Sequence, residues 1–151
     1  MIKKENILDS ARKVLTEQGI DKLSLRKIAA ETGCAAPSIY YYFKNKQEIV
    51  AGLWEQIAPS LESSMTASGD KHLAYAQFWL ARPNDFRLFI TNADYFPFVA
   101  TTEAYQTLRS QLGGGLHLLN GQLMEQIYTQ ERASLAAQPM LGLSSGPQSE
   151  S

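Results

Sequence analysis

A chain of 151 residues with 44% hydrophobic and 19% charged residues can bury one respectable core or two small ones, which excludes disorder of the whole chain. It holds no run of about 18 apolar residues and its start, Met1-Ile2-Lys3-Lys4-Glu5, lacks the apolar core of a secretory signal, so a cytoplasmic protein without a membrane segment is expected; one cysteine, Cys34, excludes an internal disulfide framework and a cysteine-rich zinc site. The net charge of −1 hides an asymmetry, because residues 1–50 carry nine bases against six acids, a balance of +3, and the remainder is −4, as suits a chain that meets a polyanion at one end only.

Ile7, Leu8, Ala11, Val14 and Leu15 recur at the spacing of one helical face, and Gly19 ends that first helix. Leu23-Ser24 reads as an apolar residue followed by an N-cap, with Leu25, Ile28 and Ala29 on the buried side of a short second helix. Thr32-Gly33-Cys34 ends it, since glycine accepts the positive φ that a tight helix-to-helix turn demands. Pro37, tolerated in a first turn, opens a third helix through Phe43, and Asn45 caps a fourth with Glu48 near its positive end. Three short helices with a glycine turn between the last two fit a helix-turn-helix unit and equally a generic helical bundle; periodicity does not separate them.

The faces of the third helix carry more information. With successive residues about 100° apart, Ile39 and Phe43 fall together on the core side, Pro37 and Tyr41 lie opposite, Ser38 and Tyr40 flank them, and Tyr42 meets the edge of the core. At least two of the three tyrosine rings therefore face outward. Exposed rings do little for solubility, whereas phenolic hydroxyls are good donors to phosphate oxygens.

Ile49, Val50, Leu53, Trp54 and Ile57 carry the fourth helix onward as a connector over 47–62, where Pro59 is expected to bend or end it, and Ser63 to Gly69 reads as a loop. From His72 to Tyr105 aromatic residues concentrate. Ordinary core and an apolar or aromatic ligand pocket both account for them, the pocket candidates being Phe78, Trp79, Phe86, Phe89, Tyr95, Phe96 and Tyr105. His72 and His117 lack metal-ligand spacing, so no metal and no cofactor is assigned. After Gly113-Gly114-Gly115, residues Leu116, Leu119, Leu123 and Ile127 form a helical stripe, and the Ser-, Gly-, Pro- and Gln-rich stretch 138–151 reads as a flexible tail. Without a nucleophile motif, phosphate loop or metal cluster, the chain is not read as an enzyme.

The run Leu25-Arg26-Lys27-Ile28-Ala29-Ala30-Glu31-Thr32-Gly33-Cys34-Ala35-Ala36-Pro37-Ser38-Ile39-Tyr40-Tyr41-Tyr42-Phe43-Lys44-Asn45-Lys46-Gln47-Glu48-Ile49 resembles, without a gap, the DNA-binding signature of the TetR family of transcriptional regulators. The likeness reaches back through Ile7-Leu8-Asp9-Ser10-Ala11 and Gly19, covering about the first third of the chain. It implies an all-α fold: a three-helix helix-turn-helix DNA-binding domain over 1–46, then a helical effector-binding and dimerisation domain over 47–151, entered through the connector. The function it implies is a one-component, ligand-responsive regulator, repression being the family's commoner habit. Its partners would be double-stranded operator DNA, a second copy in a homodimer and a small apolar or aromatic effector. A helical ligand-binding or scaffold protein that keeps an unused DNA-binding fold is the alternative, and the retained Arg26, Tyr40, Tyr42 and Lys46 argue against it.

By the same resemblance Ser24 would bind a phosphate while capping its helix, and Arg26 would reach the major groove to pair with guanine. Lys27 would touch a phosphate or remain solvated. Ala35, Ala36, Pro37 and Ser38 would meet base edges, Ala36 and Pro37 against thymine methyl groups. Tyr40 and Tyr42 would bind phosphates, Tyr41 the groove wall, and Lys46 would add a charge contact where backbone N–H groups after Asn45 also attract an anion. Cys34 is read as core. The implied effector domain would turn at Arg82-Pro83-Asn84-Asp85, and the stripe Leu116 to Ile127 would join a helical dimer interface.

Overall fold

The computed structural model describes residues 2–145, with side chains through residue 137. Helices and short turns make up the whole of that span, in keeping with an all-α fold. Helix α1 (Lys4–Gln18) buries Ile7, Leu8, Ala11, Val14 and Leu15, the five residues its periodicity singles out. A 3-10 turn, Ile20–Lys22, leads to α2 (Leu25–Thr32), and α3 (Ala36–Tyr42) follows after a short turn. Helix α4 (Lys46–Thr66) crosses α1 at Gly52, where a Cβ would stand 2.9 Å from Leu8 Cδ2 and 3.6 Å from the Phe43 ring. The missing side chain is what lets α1, the end of α3 and α4 converge.

Helix α4 runs through Pro59 rather than ending near it. Ile57, Leu61 and Met65 recur at four-residue spacing on its buried face. Burying such side chains stabilises by about 1.5–3 kcal/mol each, which outweighs the roughly 3 kcal/mol that an internal proline costs. Ser63 to Thr66 is consequently helical, and the turn is confined to 67–70, where Asp70 caps α5 (Lys71–Leu80) by accepting from the Leu73 N–H at 3.0 Å. Arg82-Pro83-Asn84-Asp85 likewise turns only at its first residue. Pro83 opens α6 (Pro83–Phe86), which continues as a π-helical turn, Arg87–Thr91.

Helices α7 (Phe96–Thr101) and α8 (Glu103–Leu112) come next, and a 3-10 turn of three glycines, Gly113–Gly115, precedes the long α9 (Leu116–Ser145). The expected flexible tail over 138–151 is corrected in part. Helix α9 continues to Ser145, so residues 138–145 are helical; residues 146–151 lie outside the described residues. The stripe on α9 is corrected too. Leu116, Leu123 and Ile127 are buried and Leu119 half-buried within the chain's own core, where α9 packs on α5 and on the π-helical turn.

One core runs from α1 through α4 into the C-terminal helices, with Phe43, Trp54, Tyr75, Trp79, Phe86 and Phe89 fully buried. Polar contacts reinforce the junction. Arg12 Nη1 meets Asp85 Oδ1 at 2.8 Å, and the Asn84 amide donates to the Leu15 carbonyl at 3.1 Å. Burial pushes the Asp85 carboxyl above its ordinary range, opposed by the Arg12 charge beside it.

Candidate nucleic-acid interface

Local chemistry builds the turn between α2 and α3. Ser24, in an extended conformation, caps α2 by accepting from the Lys27 N–H at 3.1 Å. At the other end Gly33 takes φ 79° and ψ 32°, the left-handed conformation, and the Cys34 N–H reaches the Ala29 carbonyl at 3.0 Å. Cys34 is half-buried against the core. That reversal launches α3, with Ala35 as its extended cap and Pro37 in the first turn where no N–H is needed. Ile39 and Phe43 anchor α3 by burial, so its opposite side is turned to solvent.

The exposed side holds several of the residues expected to meet DNA. Ala35, Ala36 and Pro37 are exposed at its N-terminal end and Ser38 is half-buried. Tyr41 is 82% exposed and Tyr40 52%. Arg26 and Lys27 are exposed on α2, where Lys27 Nζ donates to the Gln18 side chain. Lys46 is half-buried at the start of α4. There Asn45 accepts from the Glu48 N–H at 2.9 Å and Glu48 accepts from the Lys44 N–H at 2.8 Å. Among the described residues the ion pairs are Arg12–Asp85, Lys13–Glu31 and Arg87–Glu131, which leaves the charges of Arg26, Lys27, Lys44 and Lys46 without a carboxylate partner.

Tyr42 departs from expectation. Its hydroxyl donates to the Ile2 carbonyl at 2.7 Å, spending the one proton it could give a phosphate, while its ring packs edge-on to Tyr41 at 4.9 Å. It therefore holds the N-terminal arm against α3. Lys44, in the run Lys44-Asn45-Lys46, is a further exposed base between α3 and α4.

Residues 7–53 match the family model of bacterial regulatory proteins of the tetR family. The tetracycline repressor protein class D of Escherichia coli is 34% identical over 70 residues, covering 46% of this chain and 32% of that repressor. Over residues 7–53 the chain is thus similar to the tetR family. It spans about a third of the length of that tetracycline repressor. The fatty acid metabolism regulator protein of Bacillus subtilis is 28% identical over 134 residues, covering 83% of this chain and 68% of that one. A solved TetR-family transcriptional regulator from Streptomyces coelicolor superposes with a TM-score of 0.58 at 18% identity, covering 99% of both chains, a likeness of fold.

The seven aromatic pocket candidates do not share a site. Trp79 and Phe89 are wholly buried, Trp79 against Phe78 and Phe86 at ring separations of 5.2 and 5.6 Å, and Phe89 against Trp54 at 5.4 Å. Each large ring removes about 150–250 Å² from water, so the cluster serves first as core. Phe86 borders a groove of about 460 Å³ between the π-helical turn and α9, and Tyr95 is half-buried beside α7. Phe96 and Tyr105 alone come together at a cavity, one of about 290 Å³ between α7, α8 and the start of α9. Among the described residues no group of three or more His, Cys, Asp and Glu is placed to hold a metal, and no helix is long and apolar enough to cross a membrane.

Proposed function

We propose that this chain is a sequence-specific DNA-binding regulator of transcription, a ligand-responsive repressor in the cytoplasm, with residues 1–46 reading double-stranded operator DNA and 47–151 binding effector and partner. The outward face of α3 carries this reading. Tyr40 and Tyr41 stand exposed beside Ala36 and Pro37 on a short helix anchored from behind by Ile39 and Phe43, with unpaired lysine charges where α4 begins. Such a helix presents apolar groups to base edges while hydroxyls and cations take the phosphates. Repression follows the habit of the tetracycline repressor, which is 34% identical to this chain over 70 residues.

A homodimer follows from two observations. One short recognition helix reads few bases, and two held about 34 Å apart meet successive major grooves. Helix α9 also leaves Leu118, Met124, Tyr128 and Leu135 exposed after the buried stripe is satisfied, an apolar surface that a second copy would cover. Selection of bound duplexes from a random pool should enrich a palindrome with half-sites about one helical turn apart. Enrichment of no sequence, or sedimentation as a monomer both free and on the enriched duplex, would overturn the proposal.

A further inference from the structure

The cavity of about 290 Å³ between α7, α8 and the start of α9 has an uneven chemistry. Phe96 and Tyr105 supply two rings, packed edge to face at 5.4 Å. Arg109 brings the one full charge to the lining; His117 and the Asn120 amide add polar atoms, and no carboxylate is present. Arg109 has no ion-pair partner among the described residues. The glycine turn at the rim contributes backbone without side chains, which leaves the space open.

A directional hydrogen-bond chain ends in the same place. The Tyr75 hydroxyl donates to Asn120 Oδ1 at 2.6 Å, and Asn120 Nδ2 donates to the Tyr105 hydroxyl oxygen at 3.2 Å. With the amide held this way, the Tyr105 hydroxyl receives from Asn120 and keeps its own proton without an acceptor. Burial, the largest influence, raises the Tyr105 pKa while the nearby Arg109 charge opposes it, so the hydroxyl stays protonated and remains a donor. An unspent buried donor beside an unpaired guanidinium calls for an acceptor carrying negative charge.

We infer that this cavity binds a small aromatic carboxylate, its carboxylate held by Arg109 and Tyr105 and its ring lodged against Phe96. The inference rests on the ligand-responsive reading above and specifies its ligand class. The cavity suits a compact, single-ring acid, since larger ligands need more than its volume. A route to the DNA-binding end is built in. Tyr105 and Arg109 both stand on α8, whose N-cap Thr102 accepts the Trp54 indole N–H of α4 at 3.0 Å. A carboxylate that draws α8 toward itself therefore acts on α4, and α4 carries the DNA-binding helices.

Calorimetric titration of the full chain with benzoate, and with benzamide as its uncharged counterpart, tests this. Benzoate should bind in the millimolar range or tighter and benzamide about tenfold more weakly. Arg109→Gln should weaken benzoate about tenfold, the loss expected for a charge-assisted hydrogen bond, and Tyr105→Phe about threefold, with benzamide little affected by the arginine change. Benzoate binding that is absent from the unaltered chain, unchanged in Arg109→Gln or matched by benzamide would overturn the inference. Titration of selected duplex DNA with and without benzoate separates the two readings. Arginine-dependent benzoate binding that leaves DNA affinity untouched supports the cavity and defeats the ligand-responsive repressor, whereas DNA affinity that responds to benzoate equally in Arg109→Gln defeats the cavity and leaves the repressor standing.

Discussion

Replacing Arg12 with methionine should destabilise the fold by about 2–3 kcal/mol at neutral pH. The Asp85 side chain is 11% exposed and Arg12 30%, with 2.8 Å between their charged atoms. Breaking a fully buried pair from one side costs about 3–5 kcal/mol and an exposed pair is worth about 0–1, so a pair with one buried and one partly wet member falls between. Methionine keeps the aliphatic stem, leaving the stranded carboxylate as the main loss. Asp85→Asn should cost less, about 1 kcal/mol, because no charge is then buried alone. The double variant should recover about 1 kcal/mol relative to Arg12→Met. The pH dependence has a definite sign. Burial raises the Asp85 pKa above its ordinary 3.8, so the folded chain holds that proton more tightly than the unfolded one, and this group's contribution to stability falls as pH rises from the ordinary value through the raised one. Without Arg12 the rise is larger and the fall steeper, so the Arg12→Met penalty should shrink toward about pH 4. Urea unfolding followed by circular dichroism, at one protein concentration throughout, measures all four chains. An Arg12→Met penalty that is the same at both pH values, or a double variant as unstable as the sum of the singles, would refute a buried pair at the α1–α6 junction.

Three further outcomes concern the helix-turn-helix end and its proposed binding of DNA. Lys46→Ala should flatten the salt dependence of duplex binding by about one unit per subunit without changing base preference, whereas Pro37→Ser should leave the salt slope alone and lose about 1–3 kcal/mol of discrimination at one base pair per half-site; titrations at several salt concentrations on selected and random duplexes check both. Tyr42→Phe should cost about 1 kcal/mol of stability through its lost bond to Ile2 and leave DNA affinity nearly unchanged, while Tyr40→Phe should do the reverse, as thermal unfolding and duplex titration of each variant will tell. Gly33→Ala should cost about 1–2 kcal/mol in urea unfolding, since nothing lies within 4 Å of the added Cβ and the whole penalty comes from a φ of 79°.

The first three helices are legible in the sequence because what fixes them is local. Ser24 caps α2 three residues from its partner, Gly33 needs no distant contact to adopt its conformation, and the five buried residues of α1 are those its period selects. The outward display of Tyr40 and Tyr41 is legible for the same reason, since two anchors, Ile39 and Phe43, determine the rotation of a two-turn helix. Tyr42 escapes that logic. Its ring sits on the border between faces, and its fate was decided by the carbonyl of Ile2, 40 residues away.

Beyond α4 the deciding contacts are remote. Pro59 reads as a stop because proline weakens a helix locally, yet Leu61 and Met65 are wholly buried in the packed chain and carry α4 past it. The stripe Leu116 to Ile127 has the same appearance whether it covers a partner or its own core, and only the placement of α5 turns it inward. Arg12 and Asp85 are 73 residues apart and neither stands out in a charged surface pattern, although together they tie α1 to α6. The aromatic segment is ambiguous for a related reason: rings that build a core and rings that line a pocket are the same residue types. What distinguishes Tyr105 from Trp79 is not its kind but its neighbours, a hydrogen-bond chain through Asn120 and a cation at Arg109 against a wall of other rings. On the proposed reading, ligand specificity is set by the few polar groups left over once packing is satisfied, and these are found only after the helices have been placed.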